Sequence, residues 1–149
     1  MNFRRRIENR EFTITIEIDP PKGAGIKKIM SRLEPLIPLV DAMNISACPV
    51  AQLRMEPLSF AQLLNRQFDV ETILHLTMRD YSLLGIQSYL LGASALGYHN
   101  FLAMTGDAPK HSDVTGTKGV FQGNSLQLMK LMQKLNSGLS SADRKLNKK

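Results

Sequence analysis

The sequence predicts an α/β fold built on a parallel sheet, and three observations carry that prediction. Four short apolar runs begin near residues 12, 40, 71 and 99, about thirty residues apart. Between them lie segments whose apolar residues recur at helical spacing. Strands that alternate with helices in this way form βαβ units with parallel strands. Third, the residues able to do chemistry follow strands and never precede them: Glu17, Asp19, Ser46, His75, Thr77 and Asp107. Function at the carboxyl ends of strands is the habit of the (β/α)8 barrel, which needs eight such units and about 250 residues. This chain of 149 residues supplies four. The expected architecture is therefore a half-barrel, with parallel strands in the order 1-2-3-4.

The first strand, 12–18, alternates Phe12, Ile14, Ile16 and Ile18 with Thr13, Thr15 and Glu17. Period 2 with β-branched residues is a strand signal. Pro20 and Pro21 donate no ladder hydrogen bonds, so the strand stops before them. Gly23 to Gly25 make a turn, and Ile26, Ile29, Met30 and Leu33 then predict a helix to about Glu34. Residues 40–46 form a second apolar strand, ending at Ala47-Cys48-Pro49. A loop with Arg54 and Met55 leads to Pro57, suited to the first turn of a helix over 58–66. Residues 71–77 are the third strand. Ser82 caps a helix whose Leu83, Ile86, Leu90 and Ala93 form one stripe, stopped by Gly97. Residues 99–104 are the fourth strand, followed by Thr105-Gly106-Asp107 and a Gly-rich loop to Gly123. Asn124 or Ser125 caps the last helix, with Leu128, Leu131, Met132 and Leu135 on one face.

Length and composition limit what such a fold does. One domain of this size buries roughly two-thirds of its surface. Hydrophobic residues are 43% and charged residues 21%, ordinary for a globular chain. No apolar run reaches membrane-spanning length, and no apolar segment after Arg4-Arg5-Arg6 makes a secretory signal. Cys48 stands alone, which excludes an internal disulfide and makes a reducing cytoplasm the expected location. The net charge of +6 lies in residues 1–10 and 137–149, leaving 11–136 neutral. A basic arm, a neutral domain and a polar basic tail are thus expected. Frayed basic ends do not make the basic face of a nucleic-acid protein, so no nucleic-acid partner is expected. His75, His99 and His111 lack metal-ligand spacing, and no metal site is expected. No Gly-x-Gly-x-x-Gly follows the first strand, which counts against a Rossmann dinucleotide site.

From the residues alone, each candidate has two readings. Glu17 is a solvated strand-end residue, or a general acid whose pKa partial burial raises. His75, between Leu74 and Leu76, is a hydrogen-bonded core histidine or a ligand contact. Thr105-Gly106-Asp107 is a turn or a binding loop.

Three motifs occur in order: Glu17-Ile18-Asp19-Pro20-Pro21-Lys22-Gly23, His75-Leu76-Thr77 and Ala103-Met104-Thr105-Gly106-Asp107-Ala108-Pro109. Together they resemble the methylenetetrahydrofolate reductase family over residues 11–136. The closer likeness is to the reductase half of proteins fused to a homocysteine methyltransferase. Leu84-Gly85-Ile86-Gln87-Ser88 and Gly116-Thr117-Lys118-Gly119-Val120-Phe121 are similar to that subgroup too. The resemblance implies an FAD enzyme on a (β/α)8 barrel that reduces 5,10-methylenetetrahydrofolate to 5-methyltetrahydrofolate with NAD(P)H, a step of one-carbon metabolism and methionine biosynthesis. It implies Glu17 as the proton donor to the folate nitrogen and Asp107 as a pterin contact near the flavin. It implies Ser46, His75 and Thr77, with the backbone of Ala103, Met104, Thr105 and Gly106, as flavin contacts. Thr105 departs from the Arg often found there, which removes a cation beside the flavin. The later strands that hold much of the FAD in this family have no counterpart here.

The alternative is a non-catalytic half-barrel that binds a partner or a second copy through its two exposed sheet edges. A homo-oligomer or a complementing half is expected, and the chain reads as the N-terminal half of the enzyme. Ile14, Ile16, Ile45 and Leu74 are the expected apolar residues of the poorly covered inner face.

Overall fold

The computed structural model describes residues 3–147. Its centre is one four-stranded parallel sheet in the order β1 (Thr15–Ile18), β2 (Ala42–Ile45), β3 (Thr72–Thr77) and β4 (Phe101–Met104). The helices are α1 (Phe3–Glu8), α2 (Lys27–Leu33), α3 (Pro57–Asn65), α4 (Leu83–Ala95) and α5 (Ser125–Asn136), with 3-10 turns at Glu34–Leu39, Pro49–Ala51 and Pro109–His111. The alternation and the strand order are those the thirty-residue rhythm predicts.

The strands are shorter than the apolar runs. β1 begins at Thr15 because the N–H of Ile14 donates to the side chain of Asp41 (2.8 Å) and Phe12 is left in solvent. The helix after Gly25 ends at Leu33 and tightens into a 3-10 turn holding Pro35 and Pro38, since proline cannot extend an α-helix. Pro57 does occupy the first turn of α3, with the Glu56 carboxylate accepting from the N–H groups of Leu58 and Ser59. Ser82 caps α4 by accepting from Gly85 N–H. Asn124 and Gln127 form a reciprocal capping box on α5.

The registry fixes two faces. Ile16 pairs with Met43, Ile18 with Ile45, Ile45 with Leu74, Leu74 with Phe101 and Leu76 with Ala103. These residues pack under the helices. One cluster joins Met43, Ile45 and Leu74 to Met30, Leu33, Phe60, Ala61 and Leu64. A second joins Leu76 and Met78 to Ile86, Leu90, Leu128 and Leu131. Each fully buried Leu, Ile or Phe contributes about 1.5–3 kcal/mol, so this face carries the fold. This corrects the expected inner face. Ile45 and Leu74 are wholly buried and Ile16 packs against the same cluster, while Ile14 is exposed before the strand begins. The opposite face carries Thr15 and Glu17, then Asn44, then Ile73 and His75, then Leu102 and Met104. Asn44 Nδ2 donates to Thr15 Oγ1 across it (3.0 Å). Polar and apolar positions alternate because only one face is sealed by helices.

Among the described residues, the two end segments make some contacts with the domain. Arg6 of α1 ion-pairs with Asp41 and donates to the carbonyl of Phe12 (3.0 Å), tying α1 to the start of β2. Leu139 and Lys145 form an antiparallel bridge, and Lys134 pairs with Asp143 (2.8 Å), folding the tail against α5. Among the described residues, no helix is long and apolar enough to cross a membrane.

Candidate active site

Parallel strands present all their carboxyl ends on one edge of the sheet, so the loops that follow them meet there. Ser46, one residue past β2, donates through Oγ to Asp19 Oδ1 (2.7 Å), and its N–H reaches the carbonyl of Ile18 (3.1 Å). Arg54 lies 3.7 Å from the other oxygen of Asp19. Asp19 therefore bridges the ends of β1 and β2. Glu17 stands two residues earlier on the same face and is exposed.

His75 is 5% exposed, and its Nε2 has no hydrogen-bond partner. Burial pushes its pKa below the ordinary 6.5, opposed by the nearby charges of Glu17 and Asp19. The imidazole is accordingly neutral near pH 7, with a ring nitrogen left over for a ligand. A buried polar atom without a partner is costly, and sites that receive a hydrogen-bonding ligand are where such atoms occur.

The end of β4 meets this group from the far side. Asp107 is exposed and its Oδ2 accepts the N–H of Val50 (2.8 Å), from the loop after β2. Gly106 has φ +98, a conformation that only glycine adopts readily. A Cβ on it would stand 2.7 Å from Cβ of Arg79 and 3.1 Å from Cβ of Thr77. The backbone at Gly106 thus lies directly on the end of β3. Thr105 is turned to another task, since its Oγ1 accepts the N–H of Ser125 at the start of α5 (3.1 Å).

The sequence-predicted residues divide into two groups. Glu17, Ser46 and His75 share the open face, with Met104 at its β4 side. Gly106 and Asp107 close its rim. Thr77 lies on the same face as His75 and opposite Met104, 1% exposed with Oγ1 donating to Asp80 Oδ2 (3.0 Å), whereas Ala103 packs against the helices. Ala103 therefore offers the open face its backbone alone. Sequence reasoning missed Asn44, Arg79 and Asp80. The acid–base pair Arg79-Asp80 directly after an apolar strand was the available signal. Among the described residues, no three His, Cys, Asp or Glu side chains cluster as metal ligands. A cavity of about 500 Å³ lies away from this edge. It lies between α4 and α5, lined by Leu90, Tyr98, Phe101, Met132 and Leu135.

This arrangement suits a flat, hydrogen-bonding ring system laid on the open face. The unpartnered His75 Nε2, the Ser46 hydroxyl bonded to Asp19, and the backbone at Gly106 lie at the carboxyl ends of β3, β2 and β4, with two carboxylates, Glu17 near the end of β1 and Asp107 after β4. A family model described as methylenetetrahydrofolate reductase matches residues 2–143. No curated protein matches the chain.

Proposed function

From the premise that the chain belongs to the methylenetetrahydrofolate reductase family, we propose that it supplies the flavin-facing and folate-facing half of an FAD-dependent reductase. The reaction is reduction of 5,10-methylenetetrahydrofolate by NAD(P)H. The subgroup proposed is the one fused to homocysteine methyltransferases, on the strength of 84–88 and 116–121. Residues 11–136 are proposed as the first half of a barrel, with 1–10 and 137–149 as flanking segments. The observation that carries the reading is the convergence of Glu17, His75 and Asp107 on one edge of the sheet, with His75 Nε2 unpartnered.

FAD, when bound, supplies the hydride transfer. Ser46, His75 and the backbone of Met104, Thr105 and Gly106 would hold its ring. The rest of the chemistry belongs to the carboxylates. Opening the methylene bridge requires a proton on a folate nitrogen, and Glu17 is the acid placed on the open face to deliver it. Asp107 faces the cationic folate that results and stabilises it electrostatically. The Val50 N–H orients the Asp107 carboxylate.

β1 and β4 each pair with one neighbour only. Leu102 on the open face is 44% exposed. Edges and a face of this kind call for covering, so the proposal includes a completing half-barrel or a second copy.

Glu17→Gln tests the acid. It keeps the hydrogen-bonding reach and removes the acidic proton. The folate half-reaction should slow by about 10²-fold or more, with flavin reduction by NAD(P)H nearly unchanged. Stopped-flow measurement of the two half-reactions separates these. Equal slowing of both, or of neither, removes Glu17 from that role. Purified protein with no visible flavin absorbance, alone or with its completing half, refutes the cofactor.

A further inference from the structure

Arg79 has the largest fully buried side chain among the described residues, at 1% exposure. Burying a guanidinium costs several kcal/mol unless it is paired and hydrogen-bonded. Asp80 pairs it with a fork: Nε to Oδ1 and Nη2 to Oδ2, both 2.7 Å. Nη2 also donates to the carbonyls of Cys48 (3.0 Å) and Ala47 (3.3 Å), and Nη1 has no partner. An ion pair with Asp80 alone requires no burial, because the Asp80 side chain is 37% exposed. What the buried position adds is the reach to two carbonyls, more than thirty residues earlier in the chain.

Those carbonyls begin an unusual loop. Cys48, Val50 and Ala51 have φ of +44, +53 and +58. Each left-handed non-glycine residue costs about 1–2 kcal/mol, and a β-branched valine is a rare occupant of that region. Such strain persists only where neighbours over-determine it. The loop's product is one contact with the site: Val50 N–H on Asp107 Oδ2 (2.8 Å). Arg79 also packs against the residue before Asp107, since its Cβ fills the space a side chain on Gly106 would need.

We propose that Arg79 is a positioning residue that clamps the strained loop 47–51 through its two carbonyls, so that the Val50 N–H holds the Asp107 carboxylate for the folate. The clamp itself is a property of this fold. Its consequence for folate rests on the role proposed for Asp107, and the two parts are tested separately.

The test uses Arg79→Lys, Arg79→Met and Asp80→Asn in the full chain. Lysine keeps the charge but lacks the fork that reaches Asp80 and two carbonyls together. Amide hydrogen exchange is measured at Val50 and at Leu74 and Leu76 in β3. Exchange at Val50 should quicken at least tenfold in all three variants that fold, with Leu74 and Leu76 unchanged. Unchanged Val50 exchange overturns the clamp. Equal quickening at all three amides also overturns it, because Arg79 would then support global stability alone. The second arm is steady-state kinetics on methylenetetrahydrofolate. Arg79→Lys should raise KM about tenfold and leave flavin reduction by NAD(P)H intact. Fast Val50 exchange with unchanged KM overturns the link to folate. If the wild-type protein turns over no folate, the proposed function fails and the exchange arm alone decides the clamp.

Discussion

Gly106→Ala is the sharpest perturbation the structure offers. Two penalties are legible. At φ +98 an L-residue sits outside the favoured backbone regions, a strain of about 1–3 kcal/mol. The new methyl would also stand 2.7 Å from Arg79 Cβ and 3.1 Å from Thr77 Cβ. Neither neighbour is the free end of a flexible chain: Arg79 is clamped at its guanidinium and Thr77 is bonded to Asp80. Overpacking of this kind costs about 1–3 kcal/mol. Reduced entropy of the unfolded chain returns about 0.4–1 kcal/mol. The expected net loss is about 1–6 kcal/mol, which urea denaturation followed by circular dichroism should show as a lower midpoint at unchanged slope. Gly25→Ala is the control. Nothing lies within 4 Å of a Cβ there and its φ is not left-handed, so the substitution should be neutral or stabilise by up to about 1 kcal/mol. If Gly106→Ala matches that control, the contact between the β4 turn and the end of β3 is not as described.

Two other outcomes are expected. Asp107→Asn keeps an acceptor for the Val50 N–H but removes the negative charge, so it should weaken folate binding and raise the flavin potential, which titration and a potential measurement check. Stability should also fall with acidification through His75. Its folded pKa is depressed below 6.5 by burial, so the unfolded state takes up the proton first. Unfolding free energy should therefore decline as pH drops below about 6.5, by no more than about 1.4 kcal/mol per pH unit, and level off below the folded pKa. His75→Gln should remove that slope between pH 7 and 5, and a slope left intact would show that another group carries it.

The amino-acid sequence by itself determined the local order of this protein. Prolines and glycines placed the strand ends, because a residue without an N–H or a Cβ constrains the backbone wherever it occurs. Ser82 and Asn124 marked helix starts because capping is satisfied within one turn. Glu17, Ser46, His75 and Asp107 were legible as strand-end residues for the same local reason.

The choice of face was not legible. β3 carries apolar side chains at Ile73, Leu74 and Leu76, and both faces of β1 are plausible by period alone. Only the docking of α2, α3, α4 and α5 decided that Ile16, Ile45 and Leu74 point inward to helices and His75 away from them. The Arg79 clamp was equally hidden. A guanidinium is ordinarily solvated, and its burial depends on carbonyls more than thirty residues earlier. The contact of Val50 with Asp107 spans 57 positions. Such pairings are set by strand registry and loop strain, which exist only once the sheet has closed over its core.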